Sequence, residues 1–238
     1  MAIWILPAVA LVAALLYWLL IITEGTYLGT RAVVVMYDWT ARRYNRIKRL
    51  HSVYEVYFLG VPMLEALAAV PDARVLDVAT GTGRLPAALV TGDGFPGQIV
   101  GVDHSRPMLV EAAGALDPGL SQVAWVQGDA HALMFADAVF DGVACLEALE
   151  FMRDPRAVVR EMIRVLKPGG IMLVSNRIGW ESWFFPGRYC RRGAMERLLR
   201  RDGMEAIDTH LWQTYYDLIW CAKPRAGIPE DLRGADEA

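Results

Sequence analysis

Apolar residues fall along this chain in three regimes. From Ile3 to Ile22 (IWILPAVALVAALLYWLLII) they run for 20 residues without a charge, enough for a helix to cross a hydrocarbon layer of about 30 Å. Between residues 37 and 70 they recur every three or four positions, through Tyr37, Tyr44, Ile47, Leu50, Tyr54, Tyr57 and Phe58, the period of amphipathic helices. Beyond the breaker Pro71-Asp72, short β-branched runs alternate with helical stretches. The pattern predicts strands over Arg74–Ala79, Gln98–Asp103, Val123–Gln127, Phe140–Leu146 and Ile171–Asn176. Helices are expected between them near Leu85–Val90, Pro107–Ala115 and Pro155–Leu166. Such alternation implies a parallel sheet with helices on both faces. Glu205–Trp212 and Tyr215–Ala222 add two strands around a short turn, an antiparallel pair for the sheet edge. Gly227–Ala238 (GIPEDLRGADEA) is polar and acidic.

The chain therefore divides into a transmembrane anchor (1–24), an amphipathic helical linker and N-terminal cap (25–70), one α/β domain (71–225) and a flexible acidic tail (226–238). A cleaved signal peptide and a buried core helix are the other readings of the apolar run. The first fits poorly, because no Lys or Arg precedes the run, it exceeds a normal signal core, and no small-residue cleavage site follows. Trp4, Tyr17, Trp18 and Tyr27 stand toward its ends, as interfacial aromatics do, and Arg31, Arg42, Arg43, Arg46, Lys48 and Arg49 follow it. That asymmetry predicts a single-pass membrane protein whose larger part is cytoplasmic.

Composition adds mainly exclusions. Hydrophobic residues make up 55% of the chain and the mean hydropathy is +0.27, an excess concentrated in the first segment. A net charge of −3 argues against a globally basic nucleic-acid binder. Cys145, Cys190 and Cys221 are odd in number and far apart, which predicts neither a disulfide framework nor a metal site.

Four motifs carry the chemistry. In Val75-Leu76-Asp77-Val78-Ala79-Thr80-Gly81-Thr82-Gly83 a buried strand enters a glycine turn and then a helix. Gly81 and Gly83 permit torsions and a close ligand approach that a Cβ would block, and Asp77 lies at the carboxyl edge where open α/β sheets bind ligands. Asp103 closes the next strand 20 residues past Gly83, where a carboxylate can accept both ribose hydroxyls of a nucleoside. The spacing serves a nicotinamide dinucleotide as well. Pro86, however, stands where the dinucleotide fingerprint wants a small residue. Gln127-Gly128-Asp129-Ala130 places the Asp129 side chain and the Ala130 N–H for an adenine edge. Arg164-Val165-Leu166-Lys167-Pro168-Gly169-Gly170 reads as a structural helix stop and turn.

The order DVATGTG, GVDHSRPML, GDAHAL-x-FADAVFD and RVLKPGG resembles the class I S-adenosylmethionine-dependent methyltransferases, nearest the ubiquinone/menaquinone C-methyltransferase-related branch. The resemblance covers roughly residues 37–222. It implies a Rossmann-like, seven-stranded, mostly parallel sheet, S-adenosyl-L-methionine as cofactor, and cofactor contacts at Asp77, Gly81, Thr82, Gly83, Asp103, Met108, Asp129 and Ala130. Tyr44 is similar to the family's N-terminal aromatic that closes over the cofactor. Two departures stand out: Arg84 replaces an acidic residue common among relatives, and Leu146-Glu147-Ala148-Leu149-Glu150 replaces a His-rich stretch.

Since a sulfonium is a strong electrophile, such a protein mainly aligns the transfer and excludes water. Glu147, after the fourth strand, is the candidate general base, with a helix-start or structural carboxylate as the other reading. Trp180, Trp183, Phe184 and Phe185 in a segment flanked by arginines are either a cap on the sheet or a lid at a membrane or apolar pocket. A tether raises effective concentration only for substrates in the same membrane, so the expected acceptor is lipophilic: a quinone precursor, an isoprenoid phenol or a lipid headgroup. The rival readings are a degenerate methyltransferase domain acting as a membrane-tethered scaffold and an NAD-dependent oxidoreductase. The oligomeric state is left open.

Overall fold

Neighbouring residues of the central strands part to opposite sides of one sheet, as a two-residue period requires. Leu76, Val78, Val143, Cys145, Met172, Val174, Ile219 and Cys221 enter one core; Val75, Ala144, Leu173 and Leu218 enter another. The computed structural model describes residues 4–44, 52–91, 95–117 and 119–225; Ile47, Leu50, Arg46, Lys48, Arg49 and the acidic tail lie outside them.

The strands are β1 Arg74–Val78, β2 Gln98–Asp103, β3 Val123–Gln127, β4 Phe140–Cys145, β5 Leu166–Arg177, β6 Glu205–Trp212 and β7 Tyr216–Ala222. They form one seven-stranded sheet in the order β3-β2-β1-β4-β5-β7-β6. Pairing is parallel from β3 through β5 and antiparallel where β7 meets β5 and β6. The helices are α1 Ile5–Tyr17, α2 Thr30–Thr40, α3 Ser52–Glu55, α4 Val61–Ala66, α5 Arg84–Val90, α6 Arg106–Ala115, α7 Pro155–Val165 and α8 Ala194–Arg201. Val158, Val159 and Met162 of α7, with Met195, Leu198 and Leu199 of α8, pack on one face of the sheet. Leu85 and Leu89 of α5, with Leu59 and Met63 before and in α4, pack on the other. The expected seven-stranded, mostly parallel sheet covered on both sides is therefore the observed one.

Element ends depart from periodicity where the backbone turns sharply. Ala79 and Glu147 take left-handed φ values of 56° and 48°, so β1 stops at Val78 and β4 at Cys145, earlier than expected. The fifth strand begins earlier, because Leu166 already pairs with Phe140 before the register shifts.

The motifs of the later half prove to be joined. Lys167 Nζ donates to both oxygens of Asp141 at 2.8 Å, and Asp141 also accepts from the Arg74 N–H at 2.9 Å. Arg164 donates to the carbonyls of Leu133 and Phe135 and to Asp137 at 2.7–2.9 Å, pinning the loop that follows β3. One carboxylate contact and two carbonyl contacts from one guanidinium explain why an irregular loop of that length holds one shape.

The apolar run forms α1 and continues as a π-helical turn, Trp18–Ile22. Across Ile5–Ile22 mean hydropathy is 2.7 and none of the window is buried. At its end the chain is tied to the domain: Trp18 stacks on Tyr27 at 5.2 Å, and the Tyr27 hydroxyl donates to the Phe184 carbonyl at 3.1 Å. The aromatic segment around it is divided in role. Phe185 is buried against Phe151 and Cys190, whereas Trp180 and Trp183 are 59% and 68% exposed.

Candidate functional site

The carboxyl ends of β1, β2 and β4 and the loop after β3 face a cleft, closed from above by α2. Gly81, Asp103, Asp129, Ala130 and Glu147 line it, and Thr30, Val33, Tyr37 and Tyr44 cover it. A parallel sheet converges its loops at one edge, which is why residues spread from 81 to 147 meet.

Asp103 organises the floor. Its Oδ2 accepts from the Gly81 N–H and its Oδ1 from the Ser105 N–H, both at 2.8 Å. Burial pushes its carboxyl up, opposed by these two backbone hydrogen bonds. Gly81 has φ +55°, and a Cβ built there would meet nothing within 4 Å, so its α-carbon looks onto open cleft. Gly83 differs. Its φ is +79° and a Cβ would come within 2.6 Å of the Trp125 ring. The first glycine leaves room for a ligand; the second leaves room for Trp125.

Of the other expected contacts, Asp129 and Ala130 stand at the far wall. Asp129 Oδ1 accepts from the His131 N–H at 2.9 Å and meets His131 Nδ1 at 2.8 Å. His131 Nε2 accepts from the Asp154 N–H, so in the neutral ring Nδ1 carries the proton and donates to Asp129. Partial burial pulls the Asp129 carboxyl up, but the His131 hydrogen bonds and charge outweigh it and leave the pKa lowered. Asp77, Thr82, Gly83 and Met108 are not among the residues that line the cleft. Asp77 is buried beneath it and accepts from Thr80 Oγ1 at 2.6 Å. Burial pushes its pKa up to about 7, opposed by the Thr80 bond and the Arg84 charge. Met108 is fully buried, and its N–H donates to Ser105 Oγ.

Glu147 is buried and carries a specific set of partners. Its Oε1 accepts from Arg84 NH1 at 2.6 Å and from Gln213 Nε2 at 2.9 Å; its N–H donates to Ser175 Oγ at 2.5 Å. Arg84 also lies 3.9 Å from Glu55 Oε2 and 5.2 Å from the Trp212 ring centroid. Burial disfavours the guanidinium charge, but Glu147 and Glu55 outweigh that and raise its pKa. A carboxylate held this way is a fixed hydrogen-bond acceptor first and a proton acceptor second.

Sequence reasoning gave no site role to Tyr37, which it placed only on a helix face, nor to Ser105, Trp125 and Gln213. Ser105 was within reach: a Ser followed by Arg-Pro at a helix start is an N-cap signature, and its side chain does cap α6. Ser105 Oγ also donates to Asp38 of α2, docking the N-terminal helix over the cleft. Gln213 has no such local signal. Among the described residues no group of His, Cys, Asp and Glu is arranged for a metal ion.

Residues 76–174 match the model of a methyltransferase domain. The chain is 35% identical over 142 residues to a demethylmenaquinone methyltransferase of Clavibacter sepedonicus, covering 60% of this chain and 56% of that protein. It is 42% identical over 113 residues to a ubiquinone/menaquinone biosynthesis C-methyltransferase of Shewanella frigidimarina, covering 47% and 45%. The chain thus spans about half the length of the curated relatives it matches. The fold is similar to that of a SAM-dependent methyltransferase from Aquifex aeolicus, with TM-score 0.57 and 16% identity over 78% of this chain and 97% of the other.

Proposed function

We propose that the whole chain is a membrane-anchored, class I S-adenosylmethionine-dependent methyltransferase acting on a lipophilic acceptor; the match of residues 76–174 to a methyltransferase domain and the similarity to ubiquinone and menaquinone methyltransferases support this reading. The observation that carries the enzyme reading is the meeting of Gly81, Asp103, Asp129, Ala130 and Tyr44 in one cleft. The open space over Gly81 suits a nucleoside approaching the backbone, and Asp103 would accept from its ribose hydroxyls. Asp129 and the Ala130 backbone would meet the adenine, and Tyr44 would cover it. Asp77, Thr82, Gly83 and Met108 would act from beneath by shaping the turn. Carboxylates at Asp103, Asp129 and Glu147 suit a cationic ligand.

When bound, the cofactor supplies an activated methyl group. The protein's part is then to hold an acceptor atom in line with it and keep water out. Glu147 would orient the acceptor through a hydrogen bond, with Arg84 holding the carboxylate in place. Support for the anchor is α1: uncharged, unburied and followed by arginines. That arrangement places the domain on the cytoplasmic side in this reading.

The deciding experiment incubates the full chain with labelled S-adenosylmethionine and extracted membranes, followed by mass analysis of lipid and protein products. Label in a lipid-soluble product is the expected result. Label confined to protein removes the lipophilic acceptor, and bound cofactor without any transfer favours the scaffold reading. Calorimetry with S-adenosylhomocysteine and NADH separates the oxidoreductase reading, which requires the second to bind.

A further inference from the structure

Glu147 lines a second cleft as well as the first. This second cleft has a volume of about 600 Å³. One wall is Tyr17, Ile21 and Ile22, the final turns of the apolar helix; Trp180 and Tyr215 also line it. The two clefts are linked a second time. Tyr37, which lines the first, donates through its hydroxyl to Glu24 Oε2 at 2.7 Å, and Glu24 lines the second.

The charged lining is mostly acidic. Glu24, Glu147 and Glu181 bring carboxylates, which accept hydrogen bonds when ionised. Arg177, the cation of this cleft among the described residues, is already committed. Its Nε donates to Glu150 at 3.1 Å, and NH1 and NH2 donate to Glu181 and the Tyr216 hydroxyl at 2.6 Å. An anionic head would meet Glu24, Glu147 and an Arg177 already paired with Glu150 and Glu181. A head that donates hydrogen bonds would find acceptors, while its tail would run along the apolar helix.

We propose that this second cleft is the acceptor site, entered from the bilayer, and that it takes an amphiphile with a hydroxyl or ammonium donor on an apolar tail. The proposal rests on reading the first cleft as the cofactor site. Glu147 and the Tyr37–Glu24 pair are then the boundary across which acceptor and methyl group meet. Tail and head requirements come from different walls, so the site selects membrane-resident molecules by geometry rather than through tethering alone.

The test uses the full chain carrying Thr214→Cys, in phospholipid nanodiscs saturated with S-adenosylhomocysteine. Thr214 lines the cleft and is exposed, whereas the three native cysteines are buried. The rate of modification by a methanethiosulfonate reagent is measured with dodecylresorcinol, dodecylamine or dodecylbenzene added. At least tenfold slowing by the resorcinol or the amine, and none by dodecylbenzene, is expected; whichever slows it identifies the head as hydroxyl or ammonium. Unchanged rates with both donors, while calorimetry shows S-adenosylhomocysteine still bound, overturn the acceptor site. Equal slowing by dodecylbenzene overturns the donor-head requirement. Absence of S-adenosylhomocysteine binding instead overturns the cofactor reading on which the proposal stands.

Discussion

Arg84 and Glu147, 63 residues apart, form a 2.6 Å ion pair on the boundary of the cleft, with side chains only 10% and 4% exposed. Each departs from the pattern that the sequence resemblance implies, and the structure pairs them with each other. An arginine at the start of α5 would be costly facing other cations; here it lies between Glu147 and Glu55.

The pair predicts a strong asymmetry between single and double variants. Arg84→Met removes the cation between two buried carboxylates and should destabilise the domain by about 3–5 kcal/mol. Arg84→Met combined with Glu147→Gln should recover part of that loss. Chemical denaturation of the four species gives the coupling; additive effects would mean that the two side chains do not depend on each other.

Asp103→Ala removes the acceptor for the Gly81 and Ser105 N–H groups and, in the proposed site, the ribose partner. S-adenosylhomocysteine affinity should fall by about 1–3 kcal/mol. Isothermal titration checks this, and an unchanged dissociation constant would place the ribose elsewhere.

The two glycines of the turn should separate cofactor binding from stability. Gly83→Ala drives a methyl into Trp125 at a positive φ, so overpacking and backbone strain should together cost about 2–4 kcal/mol. Gly81→Ala meets no atom of the protein, so its stability cost is the backbone strain alone, about 1–2 kcal/mol. Its larger effect should appear as weakened S-adenosylhomocysteine binding. Thermal melts and titrations on both variants distinguish these roles.

Asp77 makes stability depend on pH. Its folded pKa of about 7 lies above its ordinary value of 3.8, so between these values the folded state binds the extra proton. Stability from this group is therefore greatest below about pH 4, falls as pH rises, and reaches its minimum above about pH 7. Asp77→Asn should flatten that decline in the ligand-free protein, as measured by melting temperature from pH 5 to 8. An equal slope in the variant would assign the decline to other groups.

Leu11 and Leu15 are 72% and 51% exposed on the apolar helix. Replacing both with Lys should leave domain stability within about 0.5 kcal/mol, as for surface changes. Membrane insertion should lose about 2.5–3.5 kcal/mol per lysine near the helix centre. Fractionation should then move the chain out of the membrane pellet; retention there would show that another surface holds it.

What the sequence determines by itself is whatever repeats with a short period or turns on a local signal. The strands Gln98–Asp103, Val123–Gln127 and Glu205–Trp212 match their predicted bounds, because short runs rich in β-branched and aromatic residues between turn residues are local signals. The glycine turn, the carboxylate ending β2 and the uncharged helix are legible for the same reason. Tertiary structure alone decided which distant side chains meet. It set Gln213 and Arg84 on Glu147, gave Gly83 to Trp125, and sent Asp77 beneath the cleft that Asp103 lines. Those outcomes depend on how seven strands order and stagger across the sheet, and strand order brings together residues whose separation in the chain carries no period to read.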